Sequence, residues 1–155
     1  MTDFNPHTDL KLERTTDVAP AQIWAAWTEP ERLKQWFAPK PWTTSACTID
    51  LRVGGECTTT MRSPEGQEFP NTGCYLEIVP ERKLVFTDAL SGGFRPTEKP
   101  FFTAAITLEP HGTGTKYTVI AKHKDAAARQ THEDMGFQTG WGQCFDQMVV
   151  LLKST

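Results

Sequence analysis

Phe137-Gln138-Thr139-Gly140-Trp141-Gly142-Gln143-Cys144-Phe145-Asp146-Gln147-Met148-Val149-Val150-Leu151-Leu152 is the stretch whose reading decides the fold. Its apolar members Phe137, Trp141, Cys144, Phe145, Met148, Val149 and Leu152 recur at steps of three, four and seven, which draws one stripe along an amphipathic helix. Gly140 and Gly142 interrupt that stretch and cost it about 1 kcal/mol each relative to Ala, so a close approach of backbone to something is expected there. Just upstream, Asp125 can cap a helical run through Arg129 to Glu133, and Gly136 breaks it.

Before these helices the period changes from three and four to two. Lys116 to His123 places Tyr117, Val119, Ala121 and His123 on one face, and Phe102, Ala104, Ile106 and Leu108 do the same one strand earlier. Gly73 to Val79 and Lys83 to Ala89 are two further strands joined by the turn Pro80-Glu81-Arg82. Pro70 cannot donate to a ladder, so the beginning of the first of these belongs at an edge or a bulge. Cys47, Ile49, Leu51 and Val53 alternate with polar residues up to a Gly54-Gly55 turn, and Cys57, Thr59 and Met61 continue beyond it. Ser63-Pro64-Glu65-Gly66 has Pro second and Gly fourth, the pattern of a β-turn. Leu90 to Pro100, with two Gly and two Pro around Phe94, reads as a loop.

At the front, Leu10 to Val18 alternates as a first strand. Pro20 suits a first helical turn, and Ile23, Trp24, Ala26 and Trp27 put bulk on one face of that helix. Thr28-Glu29-Pro30-Glu31 has capping-box spacing and predicts a second short helix carrying Leu33, Trp36 and Phe37, ended by Pro39 and Pro41.

One strand, two short helices, six strands joined mostly by tight turns and a terminal helix make an α+β chain with an antiparallel sheet rather than βαβ units. A sheet of about seven strands has one apolar face, and a single long helix is available to cover it. Curving the strongly twisted sheet around that helix solves the burial problem. One helix about 10 Å across does not fill so wide a concavity, so large side chains are expected to line a cavity there.

Composition narrows the function. The 155 residues carry 16 Lys plus Arg against 19 Asp plus Glu, a formal charge of -3, with 38% hydrophobic and 23% charged residues. These are the proportions of an ordinary globular domain, and the expected organisation is a single domain over 1–155 with residues 1–9 a flexible tail. No basic face or charge run offers a footprint for nucleic acid. No window approaches the about 20 apolar residues of a membrane helix, and Met1 to Asp9 is polar where a signal peptide would be apolar, so a cytoplasmic protein without a membrane partner is expected. Cys47, Cys57, Cys74 and Cys144 form no C-x-x-C pair and read as reduced, packed thiols. His7, His111, His123 and His132 show no zinc spacing, and neither a metal nor a cofactor is expected. The informative surplus is aromatic: five Trp and nine Phe against two Tyr.

Several ordered motifs carry a resemblance that spans almost all of the chain from Leu10 onward. Ala26-Trp27-Thr28-Glu29-Pro30-Glu31 leading to Trp36, Asp50-Leu51-Arg52-Val53-Gly54-Gly55, Gly73-Cys74-Tyr75-Leu76-Glu77-Ile78-Val79-Pro80-Glu81-Arg82-Lys83-Leu84, and Met135-Gly136-Phe137 through Gly140-Trp141 stand in that order. In these the sequence resembles the Hsp90-ATPase-activator-homologue branch of the START-like (SRPBCC, Bet v 1-like) superfamily. The resemblance implies a helix-grip fold, a sheet gripping the C-terminal helix around a cavity that in relatives holds apolar or aromatic small molecules. It also implies several function classes, since relatives include polyketide cyclases and aromatases, lipid carriers and cochaperones. The cochaperones carry a separate preceding domain that makes much of the chaperone contact. Only nine polar residues precede the first strand here, so activation of a chaperone ATPase is not expected.

The residues themselves leave the chemistry open. Trp36, Phe37, Met61, Tyr75, Phe86, Phe102, His123, Trp141, Phe145 and Met148 are the candidate ligand contacts. The same large apolar residues also serve as plain core. Glu77 and His123 are the two candidate acid–base groups, but none is assigned as catalytic. Glu77 shares the parity of Tyr75, yet both faces of that strand are bulky and alternation leaves its direction open; His123 reads equally as a strand-end histidine bonded to a neighbour. Asp50 and Arg52 fit an outer-face pair or turn-fixing contacts. Three readings follow: a binder of a small apolar or aromatic molecule, a cyclase- or aromatase-like enzyme using the same cavity, and a protein-binding module. The last predicts an exposed apolar patch and a closed core.

Overall fold

The computed structural model describes residues 4–154. Its elements run β1 (Asp9–Thr16), α1 (Pro20–Thr28), α2 (Pro30–Leu33), β2 (Thr43–Ile49), β3 (Glu56–Arg62), β4 (Glu68–Val79), β5 (Lys83–Thr87), β6 (Leu90–Ser91), β7 (Arg95–Pro96), β8 (Thr103–His111), β9 (Gly114–Lys122), α3 (Ala126–Asp134) and α4 (Phe137–Lys153). Seven strands form one antiparallel sheet in the order β1-β9-β8-β5-β4-β3-β2, so the first two strands in sequence occupy opposite edges and α1 and α2 bridge them. The sheet curves around α4 in a helix-grip fold, as the sequence predicts.

The core follows from the two periodicities. Leu10 and Leu12 of β1, Leu84 of β5, Ile106 and Leu108 of β8, and Tyr117, Val119 and Ala121 of β9 are buried on the inner face. Phe137, Phe145, Met148 and Leu152 of α4 meet them from the other side, with Ile23, Ala26 and Trp27 of α1 closing one end. Asp125 caps α3 by accepting from the Ala128 N–H at 2.8 Å, and Gly136 at φ 91° turns α3 into α4.

Pro70 sits where its missing N–H does no harm. It pairs with Thr60 of β3, while β5 joins β4 only from Cys74 onward, so the other side of β4 is open at Pro70. The register between β4 and β5 then slips between Tyr75 and Glu77. This bulge reverses the inward and outward sense along the strand, which is why simple alternation leaves Glu77 undecided.

Three local expectations need correction. The strand read as Cys47 to Val53 is β2 at Thr43–Ile49, and Asp50 to Gly55 is a turn in which the Arg52 Nε donates to Asp50 Oδ2 at 2.8 Å. Thr28 does not cap α2: its hydroxyl donates back to the Trp24 carbonyl at 2.7 Å, Glu29 takes the N-cap position and Pro30 starts the helix. The Leu90 to Pro100 loop contains the small β6–β7 hairpin, from which the Gly93 N–H reaches the Gly54 carbonyl at 2.8 Å. Residues 1–3 of the expected tail lie outside the described residues. Over residues 5–9 the chain forms a turn, with the Asp9 N–H on the Asn5 carbonyl at 2.8 Å and the Asn5 N–H on Asp9 Oδ2 at 2.9 Å.

Candidate functional site: an aromatic cavity between sheet and terminal helix

A cavity of about 390 Å³ opens between the sheet and α4. Trp27, Trp36 and Phe37 wall it from the α1–α2 side, and Phe137, Gly140, Trp141 and Cys144 from α4. The sheet contributes Ile49, Met61, Tyr75, Phe86 and Tyr117, and the segment before β8 contributes Phe101 and Phe102. The rings brace one another. Trp27 meets Trp36 at 5.0 Å and Phe37 at 5.4 Å edge to face, and stacks on Trp141 at 6.3 Å. Such pairs favour tilted geometries and add to area burial, so the wall is held in shape without filling the space.

Seven of the ten candidate contacts lie on this wall: Trp36, Phe37, Met61, Tyr75, Phe86, Phe102 and Trp141. Phe145 and Met148 do not. Both are one or two turns further along α4, where the sheet closes on the helix and they are buried in solid core. Glu77 does not line the cavity either; beyond the bulge it leaves the inner face and pairs with Lys83 at 3.2 Å, 39% exposed. The inward reading of Glu77 is thereby corrected.

His123 is buried on the inner face, as the β9 alternation places it, but lies behind the wall rather than on it. Its Nδ1 is 2.8 Å from the Thr8 carbonyl oxygen and its Nε2 is 2.8 Å from Nδ1 of His132. His132 is the one that reaches the cavity. Burial, with His123 beside it, pushes the His132 imidazole down from the ordinary 6.5 to about 4, so the ring is neutral at physiological pH.

Sequence reasoning misses His132 because the α3 segment carries almost no apolar periodicity; His132 is its one buried residue. A usable signal is Gly136, whose αL conformation changes the chain direction between α3 and α4. Several other polar groups on the wall are occupied. Asp88 accepts from the Phe101 N–H at 2.8 and 3.0 Å and from the Phe102 N–H at 3.1 Å, which pins this aromatic pair at the rim. The Tyr75 hydroxyl lies beside the Cys57 thiol. Cys57 and Cys144, both on the wall, are pushed up to about 12, mainly by burial. They are therefore protonated, soft apolar surface rather than nucleophiles. Gly140 faces the cavity with its nearest neighbour, Pro39, 3.9 Å from where a Cβ would sit, and Gly142 comes near only the end of the Arg14 side chain. The close backbone approach expected at these glycines is absent; Gly140 instead widens the space.

Among the described residues, no group of three or more His, Cys, Asp or Glu is placed to hold a metal ion, and no helix is long and apolar enough to cross a membrane.

Comparison with known proteins agrees with this architecture. An X-ray structure of a protein from Nitrosomonas europaea is 46% identical over 97% of each chain and superposes with a TM-score of 0.95. A crystal structure of a protein from Mycobacterium smegmatis is 24% identical over 96% of this chain and 93% of that one, with a TM-score of 0.77, and shares the fold. So does the solution structure of an AHSA1-like protein from Aeromonas hydrophila, 18% identical over 94% of this chain and 92% of that one, with a TM-score of 0.70. No curated protein matches the chain significantly. The model of the family described as Activator of Hsp90 ATPase homolog 1-like protein matches residues 17–153, which takes in every element from α1 to α4, and the chain belongs to that family, within the START-like superfamily.

Proposed function

We propose that the protein binds a small apolar or aromatic molecule in the cavity between the sheet and α4. The observation that carries this reading is the cavity itself: about 390 Å³ left open behind a braced ring of Trp, Phe and Tyr side chains. That volume lies in the range of small-molecule sites, about 300–1,000 Å³, and such sites are mostly apolar with a few polar groups that orient the ligand. A domain of this length has enough core elsewhere to leave the space unfilled. Leu10, Leu12, Ile106, Met148 and their neighbours pack solidly at the β1–β9–β8 end.

The acid–base enzyme reading loses one of its two groups, because Glu77 stands outside the cavity against Lys83. The protein-binding reading expects a closed core, which the cavity is not.

Native mass spectrometry of the purified protein, followed by extraction of whatever remains bound, tests the proposal together with a thermal-shift panel of aromatic and lipid compounds. A ligand at 100 times its Kd stabilises by about 2.7 kcal/mol, which raises the Tm of a domain this size by about 5–10 °C. A protein that carries nothing and shifts with no compound overturns the reading.

A further inference from the structure

We propose that the molecule held in the cavity carries a hydroxyl or N–H donor on its apolar body, and that His132 Nε2 accepts its hydrogen bond. This rests on the binding reading above and adds the polarity of the ligand to it.

The argument begins at Thr8. Its carbonyl oxygen lies 2.8 Å from His123 Nδ1 and can only accept, so that nitrogen carries the hydrogen. With its single hydrogen on Nδ1, the His123 ring offers a bare lone pair at Nε2. His132 Nδ1, 2.8 Å away, must donate to it. A neutral His132 with its hydrogen on Nδ1 has its own lone pair at Nε2, on the far side of the ring from His123. The relay thus sets the tautomer of the cavity-lining histidine from a backbone carbonyl two rings away.

The imidazole is also held in place. Phe101, Phe102 and Phe137 pack against it with ring centroids at 4.8, 5.0 and 5.1 Å. Only 7% of the residue is exposed, and the wall it belongs to is mostly aromatic and apolar. An acceptor that an apolar ligand cuts off from water is left without a partner at a cost, and a donor on the ligand removes that cost. Asp88, the carboxylate on the wall, is committed to the Phe101 and Phe102 N–H groups. The chemistry selected is that of phenols, alcohols and amides. Methyl ethers lack the hydrogen, and a carboxylate would set its lone pairs against that of the imidazole.

Isothermal titration at pH 7.5 with 2-naphthol, 2-methoxynaphthalene and naphthalene tests this. The expected result is that 2-naphthol binds about five- to tenfold more tightly than its methyl ether, the size of one net hydrogen bond. In His132→Phe that preference falls to about unity while naphthalene still binds. Equal affinity of wild-type protein for 2-naphthol and its ether overturns this inference and leaves the binding reading standing. Absence of binding by all three compounds overturns both. A measurement independent of the variant is the ¹⁵N spectrum of wild-type histidines: His132 Nε2 is expected in the unprotonated, pyridine-type range and moves on adding 2-naphthol. A protonated, pyrrole-type Nε2 at neutral pH overturns the inference.

Discussion

The indole N–H of Trp27 donates to the Tyr117 hydroxyl at 3.1 Å, with both side chains buried. This bond joins α1 to β9 across the interior and fixes the indole that touches Trp36, Phe37, Phe86 and Trp141. Tyr117→Phe removes the acceptor and leaves the indole donor unpaired in an apolar interior. The expected cost is about 1–3 kcal/mol, read from urea unfolding midpoints at an unchanged slope. A cost below about 0.5 kcal/mol would mean that another group satisfies Trp27.

Glu77 pairs with Lys83 on the outer side of the sheet, and neither is a cavity residue. Glu77→Gln is therefore expected to leave ligand affinity unchanged and to alter stability by no more than about 1 kcal/mol, as for half-exposed ion pairs generally. A tenfold loss of affinity would place the carboxylate at the ligand and restore it as an acid–base candidate.

Tyr117 and Glu77 also mark how far the amino-acid sequence alone carries the fold. Tyr117 is legible, since period two puts it with Val119 and Ala121 and all three are buried together. Glu77 is not, because its direction depends on the slip between Tyr75 and Glu77, and a bulge leaves no trace in a strand with bulky residues on both faces. The aromatic wall is legible as a class: large rings on the first helices, the sheet and the last helix must meet. Where core ends and cavity begins along α4 is not, because Trp141, Phe145 and Met148 lie on the same stripe and only the distance to the sheet separates them. His132 escapes for the opposite reason, as a polar residue whose burial is imposed by the α3–α4 turn and by the partner it finds just past β9.

His132 makes stability pH-dependent in a defined sense. Its folded pKa is pushed down from the ordinary 6.5 to about 4, so the unfolded chain takes up the proton first. Stability contributed by the neutral ring is complete above about 6.5 and is lost progressively as pH falls toward about 4. Unfolding midpoints at pH 7 and pH 5 are expected to fall more in wild-type protein than in His132→Phe. An equal fall in both would show that the ring titrates normally.

Cys57 and Cys144 line the cavity with thiols pushed up to about 12. At pH 8 almost none of either is thiolate, the form that reacts. Iodoacetamide is expected to label both more than about tenfold more slowly than a small free thiol, as followed by peptide mass spectrometry. A compound bound in the cavity should slow them further. Rapid labelling of Cys57 or Cys144 would show a more polar and open wall than the one described.

Gly140 offers the sharpest separation of folding from binding. It lies in the first turns of α4, where Gly costs roughly 0.5–1 kcal/mol relative to Ala, and a Cβ there would meet nothing nearer than Pro39 at 3.9 Å. The backbone N–H of Gly140 is already bonded to the Gly136 carbonyl at 2.7 Å, so the helix loses nothing on substitution. Gly140→Ala is therefore expected to raise stability by about 0.5–1 kcal/mol. The added methyl also projects into the wall that Trp141 and Phe37 frame, so ligands large enough to reach it should bind more weakly while smaller ones are unaffected. Thermal melts without ligand give the first effect, and titrations with a graded series of aromatic compounds give the second. A variant more stable than wild type whose affinity is unchanged for every size of ligand would mean that this part of the wall is not used. A less stable one would mean that the helix is packed more tightly at Gly140 than the 3.9 Å clearance implies.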